Sequence, residues 1–169
     1  MINHKIGTPG YISVWVGNEE DGVYYYENKG HLMKNLVPTE GRDWFHAQLY
    51  TNTVQAYATI GAVYLAVSET TVAPDPAWTA ALFTSTYGEI TTGTLTRKLA
   101  SPVPSHIIGT NVSITETTWT PSASFPAVST LALLNAASAG KLVHVGRFDQ
   151  VVSVVSGQAF RALATINHG

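Results

Sequence analysis

Cysteine is absent from the 169 residues, which excludes disulfides and thiolate metal sites. Charge is scarce. Asp, Glu, Lys and Arg make up 12% of the chain, against about 25% in an ordinary soluble domain. The net charge is −2, with no cluster of Lys or Arg. Lacking a basic stripe to follow phosphates, the chain is not expected to bind nucleic acid. No apolar run reaches the ~20 residues of a membrane helix, and the first ten residues, MINHKIGTPG, lack the apolar stretch of a signal peptide. The expectation is a soluble protein, or part of a soluble assembly, with no membrane partner. The motifs of catalysis are missing too. There is no Gly-x-Ser-x-Gly elbow, no glycine-rich phosphate loop ahead of a helix, and no HxH or HExxH pair. His4, His31, His46, His106, His144 and His168 are scattered, none three or four residues from another. The sequence therefore nominates no catalytic, cofactor-binding or metal-binding residue, and the chain reads as non-enzymatic.

What replaces the charge is Thr, Ser, Ala and Gly, a composition that favours strands and turns. Residues 11–16 (YISVWV) and 23–26 (VYYY) predict a β-hairpin around a turn cluster at 17–22. A lone hairpin is marginal in water, so it must pack on the body or on a neighbouring subunit. Rings at three successive strand positions point to both faces. Tyr is enriched at interfaces, so Tyr11, Trp15, Tyr24, Tyr25 and Tyr26 are the interface candidates, with several of them needed for the core. Pro38 ends this segment. Thr39 reads as an N-cap, and a helix follows over residues 40–50 with Trp44, Phe45 and Leu49 as its apolar stripe.

Further on, residues 59–68 (TIGAVYLAVS) read as a buried strand, and 77–83 as a short helical turn started by Asp75-Pro76. Residues 91–99 alternate as a half-exposed strand, with Leu95, Arg97 and Leu99 on one face. Strands are also predicted over 111–120, 127–134, 141–148, 151–155 and 159–167. In the last, Phe160, Ala162, Ala164 and Ile166 share one face. His144 lies in such a strand and reads as a core or interface histidine. Glu19-Glu20-Asp21 reads as a charged hairpin turn, since it lacks the spaced carboxylates of a calcium loop. About eight short strands with little helix predict a mainly β fold, an antiparallel β-sandwich or jelly-roll-like barrel with one short helix. Residues 1–36 form an N-terminal β-hairpin or arm in this reading, and 37–169 the sandwich body.

The order of several segments is similar to a family of small structural proteins of tailed bacteriophages. Gly30-His31-Leu32 through Asn35-Leu36-Val37 to Gly41-Arg42-Asp43-Trp44 resembles that family's lead into a helix. Ala62-Val63-Tyr64-Leu65-Ala66-Val67-Ser68-Glu69 followed by Ala73-Pro74 resembles its strand and loop, and Gly88-Glu89-Ile90 with Gly93 and Arg97-Lys98 its next segment. Leu133-Leu134-Asn135-Ala136-Ala137-Ser138-Ala139-Gly140 and Phe148-Asp149-Gln150-Val151 resemble its closing strands. Leu133-Leu134 and Ala159-Phe160 depart from the family pattern. The resemblance runs from about Gly30 onward and leaves the hairpin outside. It implies a virion component made in the host cytoplasm. The first expectation is a capsid decoration (cement) protein, partnered by the major capsid protein or other virion proteins and forming a homo-oligomer such as a trimer. The alternative is a tail, baseplate or fibre-associated structural or receptor-binding protein.

Overall fold

The computed structural model describes residues 11–20, 23–31, 36–50, 64–100, 105–106 and 112–167. Nine strands and two helices follow in order: β1 (Tyr11–Glu20), β2 (Val23–His31), α1 (Thr39–Tyr50), β3 (Tyr64–Ser68), α2 (Ala80–Ser85), β4 (Lys98–Leu99), β5 (Ser105–His106), β6 (Val112–Trp119), β7 (Phe125–Leu134), β8 (Leu142–Val154) and β9 (Ala159–Asn167). They form a five-stranded sheet, β2-β1-β9-β6-β5, and a four-stranded sheet, β4-β3-β7-β8, with every ladder antiparallel. The fold is mainly β, as predicted, and of the two architectures it is the sandwich. No hydrogen-bonded ladder among the described residues joins the sheets into a closed barrel.

The inner core fills the space between the sheets. β9 contributes Phe160, Ala162 and Ala164, β6 Trp119 and β1 Val16; facing them are Leu65 and Val67 of β3, Val128, Leu131 and Leu133 of β7, and Phe148, Val152 and Val154 of β8. A second core lies on the other face of the four-stranded sheet. There Ala66, Ala132, Leu134, Leu142 and Val145 meet Trp78, Ala80 and Phe83, with Leu36, Tyr64 and Tyr87 at its margin. Trp78 stacks on Tyr87 at a ring separation of 3.7 Å. Residues 128–134 of β7 are consequently buried without a break, because both faces of that strand are covered.

The hairpin β1–β2 is part of this body. β1 pairs with β9 from Tyr11↔Thr165 to Gly17↔Ala159 and with β2 from Ser13↔His31 to Glu20↔Val23. Gly17, Asn18, Glu19 and Glu20, read as a turn, therefore belong to the strand. Their backbone groups have partners in β2, which overrides their turn propensity.

Several other boundaries shift for local reasons. The first helical bond of α1 runs from the Arg42 N–H to the Pro38 carbonyl (3.0 Å), so the helix starts at Thr39. The Thr39 hydroxyl accepts from the Arg42 guanidinium at 3.0 Å, and its N–H donates to the Pro76 carbonyl. In α2 the cap is Thr79, whose hydroxyl accepts from the Leu82 N–H. Asp75 instead closes a turn by accepting from the Ala77 N–H at 2.7 Å. The strand predicted over 91–99 shrinks to the two residues of β4, since Gly93 and Thr94 have φ of 60° and 59°, outside strand geometry. Leu95 is buried but Leu99 is exposed, so the two do not share a core face. The strands predicted over 141–148 and 151–155 are one strand, β8, with an irregularity at the Phe-Asp-Gln position. For the strand predicted over 59–68, residues 59–63 lie outside the described residues.

α1 reaches β8 through Gly41. A Cβ there would stand 2.6 Å from the Val143 carbonyl oxygen and 2.8 Å from that of Leu142. In an exposed helix Gly→Ala gains up to about 1 kcal/mol. Here the obstructing atoms are backbone, and overpacking of this kind costs about 1–3 kcal/mol. Gly41→Ala is accordingly expected to lower the urea-unfolding free energy; an unchanged or raised midpoint would show that α1 is free to shift off β8.

Candidate functional site

The five interface candidates sit on two adjacent strands. Tyr11 and Trp15 lie in β1, which is flanked by β9 and β2; Trp15 is opposite Arg161 on one side and Asn28 on the other. Tyr24, Tyr25 and Tyr26 lie in β2, the terminal strand of the five-stranded sheet, opposite Glu19, Asn18 and Gly17. A terminal strand keeps one backbone edge outside its own ladder, the usual position for pairing or contact with another chain. The structure thus brings the three tyrosines together on an edge strand and puts Tyr11 and Trp15 on an interior one.

The histidines do not converge. His144 is buried in β8 opposite Leu133, His31 ends β2, His46 is in α1 and His106 in β5, while His4 and His168 lie outside the described residues. Among the described residues no three His, Asp or Glu side chains form a group able to hold a metal ion.

Two polar clusters that the sequence did not reveal hold the second core in place. In the first, Arg97 and Glu89 form a two-pronged ion pair, Nε to Oε1 at 2.8 Å and Nη2 to Oε2 at 2.7 Å. Their side chains are only 7% and 3% exposed. Nη1 of Arg97 donates to the carbonyls of Ala136 (3.0 Å) and Ala139 (2.9 Å) in the β7–β8 connection, and Nη2 also reaches Thr84 Oγ1 at 3.4 Å. Guanidinium has five N–H donors, and this geometry gives each one an acceptor. Thr84 in α2 completes the ring by donating to Glu89 Oε2 at 2.6 Å. Burial pushes the Glu89 carboxyl up. The hydrogen bonds from Arg97 and Thr84 and the charge of Arg97 outweigh it and hold the group below the usual glutamate range.

In the second cluster, Glu40 joins three elements. Its Oε2 accepts from the N–H of Ala80 at the start of α2 (2.8 Å) and of Leu142 at the start of β8 (2.9 Å). Its Oε1 meets Lys141 Nζ at 3.3 Å. Neither cluster has a local sequence signal: Arg97 adjoins Lys98, and Glu40 stands two residues before Arg42 and three before Asp43. Their partners lie 40 and 102 residues away for Glu40 and 39 and 42 for Arg97, beyond any local motif.

Two of the exposed large apolar side chains, Val151 and Val155, share one end of the sandwich; Val72, Leu82 and Leu99 are the others among the described residues. Two steps along β7, Val128 to Thr130, face five along β8, Arg147 to Val152. The extra length bulges outward as Asp149, Gln150 and Val151, while Phe148 stays in the core. Val151 is 55% exposed and Val155, just past the strand end, 50%. Beside them the β6–β7 and β8–β9 connections, both crossing between the sheets, are tied together: Gly157 N–H donates to the Pro121 carbonyl (2.8 Å) and Ser156 N–H to Ser124 Oγ (3.1 Å). This end presents aliphatic, hydroxyl, amide and carboxylate side chains on a braced backbone, a surface suited to contact. No family model, curated protein or solved structure matches the chain.

Arg97→Met leaves a buried carboxylate without its counter-charge and is expected to cost about 3–5 kcal/mol in urea unfolding. Glu89→Leu combined with Arg97→Met is expected to cost less than the two single changes added, which a double-mutant cycle measures. The pH dependence has a fixed sign. The folded-state pKa of Glu89 is depressed, so its contribution is complete above the unfolded value, about 4.3. It fades as pH falls from there through the lower folded value. The stability difference between wild type and Glu89→Gln should therefore be constant near neutrality and shrink in acid below about pH 4.3; a difference that grows on acidification would contradict the pairing.

Proposed function

We propose that this chain is a non-enzymatic structural protein of a tailed-bacteriophage particle, and first of all a capsid decoration protein that binds and stabilises the lattice. The observation that carries the reading is where the charge goes. Arg97, Glu89 and Glu40 are spent on internal bonds that fix loops and helices, and Arg161 pairs with Glu116 across β9 and β6. The body these bonds brace is a sandwich with three tyrosines on a terminal strand and with Val151 and Val155 exposed at one end. Such a body acts through the area it buries against neighbours. The order of phage-like segments from Gly30 onward supports the same reading.

The mechanism is mass action. A protein that binds assembled lattice and not free subunits lowers the free energy of the assembled state by an amount that grows with its concentration. The hairpin β1–β2, outside the phage-like segments, is the proposed anchor on the major capsid protein, and a homo-oligomer such as a trimer matches the symmetry points of a shell.

The test is location. Heads and tails are separated and each probed for the protein. Signal in heads at regular lattice positions, with particles lacking it breaking at lower temperature, is the expected result. Signal at the tail tip or collar would replace this reading with the tail, baseplate or fibre-associated one. Head signal with equal thermal stability would remove the stabilising role.

A further inference from the structure

We propose that the layer outside the four-stranded sheet, made of residues 36–50 and 69–88, is a lid that opens as a unit while the sandwich beneath stays folded. Four observations carry this. First, the sheet separates two sets of buried side chains: Trp78, Ala80 and Phe83 pack with one set, and the inter-sheet core is formed by another. Removing the lid therefore leaves the inter-sheet packing whole. Second, the lid leaves and rejoins the sheet without being a strand of it. Residues 69–88 depart after β3 and return at the Ser68↔Glu89 bridge, and Ile90 beyond it already belongs to the inner core and bonds the Val67 carbonyl. Gly88, at φ 65° with open space around its Cα, stands at that return and is placed to act as a hinge.

Third, the lid is fastened at its rim by separable polar bonds. Those that cross to the sandwich include Leu142 N–H to Glu40, the Leu36↔Val145 bridge, Thr84 to Glu89, Arg97 to Thr84, Ala127 N–H to Glu69 and Ser129 to the Thr70 carbonyl; Ala80 N–H to Glu40 ties the two segments of the lid to each other. Fourth, closure leaves polar atoms unsatisfied. Trp78 Nε1 and Thr130 Oγ1 are buried with no hydrogen-bond partner. Thr130 is two residues from Ala132 on β7, on the side the lid covers. Both groups gain water when the lid lifts, which offsets part of the lost apolar burial. Trp78, Phe83 and Tyr87 keep the closed state dominant. The open state uncovers Ala66, Ala132, Leu134, Leu142 and Val145.

Native-state hydrogen exchange on the full chain tests this. The reporting amides are those whose bonds cross the lid boundary: Leu36 and Val145, which bond each other, and Glu89, which bonds the Phe83 carbonyl. The reference amides are those of the β6–β9 ladder around Glu116↔Leu163. In wild type the lid amides are expected to exchange together, at least tenfold faster than the ladder and with a weaker urea dependence. Glu40→Ala is expected to speed the lid amides about tenfold more and leave the ladder unchanged. Equal rates and equal urea dependence for both sets in wild type would overturn the proposal, even if Glu40→Ala fails to fold. So would a Glu40→Ala effect that falls equally on both.

Discussion

A sheet covered on both faces governs this structure. β3 and β7 have one core beneath them and another above, so their sequences are apolar with little alternation. Several backbone and side-chain polar groups at the rim of the second core are part-buried. Two glutamates and one arginine supply the missing partners, each to several groups at once. The low charge content and the centrality of a few charges are thus two sides of one arrangement.

Where one face of a strand is wet, the sequence was easy to read. β9 alternates Phe160, Ala162 and Ala164 inward with Arg161, Leu163 and Thr165 less buried, and its predicted limits match the observed ones. The limits of β6 were legible too, with Thr115, Thr117 and Trp119 on its buried face; those of α1 followed from Pro38 and Thr39, while the side chains of Phe45 and Leu49 lie outside the described ones. Reading failed where a pattern was present but the backbone had another task. Residues 91–99 alternate like a strand, yet two consecutive left-handed residues turn the chain so that Leu95 enters the core and Arg97 reaches Glu89. The Phe-Asp-Gln stretch looks like a turn between two strands, yet it is a bulge inside one, because Phe148 is anchored inside while the next three residues swing out. At Gly17 the pairing with Ala159 and Tyr26 keeps a turn-forming residue extended.

The candidate site divides along the same line. That Tyr24, Tyr25 and Tyr26 stand on a strand was legible from residue type; that the strand is a terminal one depends on which strand pairs with which, and no local pattern encodes that. The polar clusters were harder still. A carboxylate that collects one N–H from 40 residues downstream and another from 102 has no spacing rule to betray it.

The adjacency of β1 and β9 has a consequence for how the molecule comes into being. The first described strand is paired on one side with the last, residue Tyr11 against Thr165. During synthesis the hairpin β1–β2 precedes its ladder partner, and β1 has no strand to pair with on its second side until β9 is made. The β7–β8 pair, by contrast, is local in sequence and is free to form as soon as it appears. Contacts between distant segments are the slow ones in folding, so the five-stranded sheet completes last. For that interval an aromatic-rich hairpin waits without its final neighbour, and how fast β9 pairs decides whether the hairpin finds β9 or another chain.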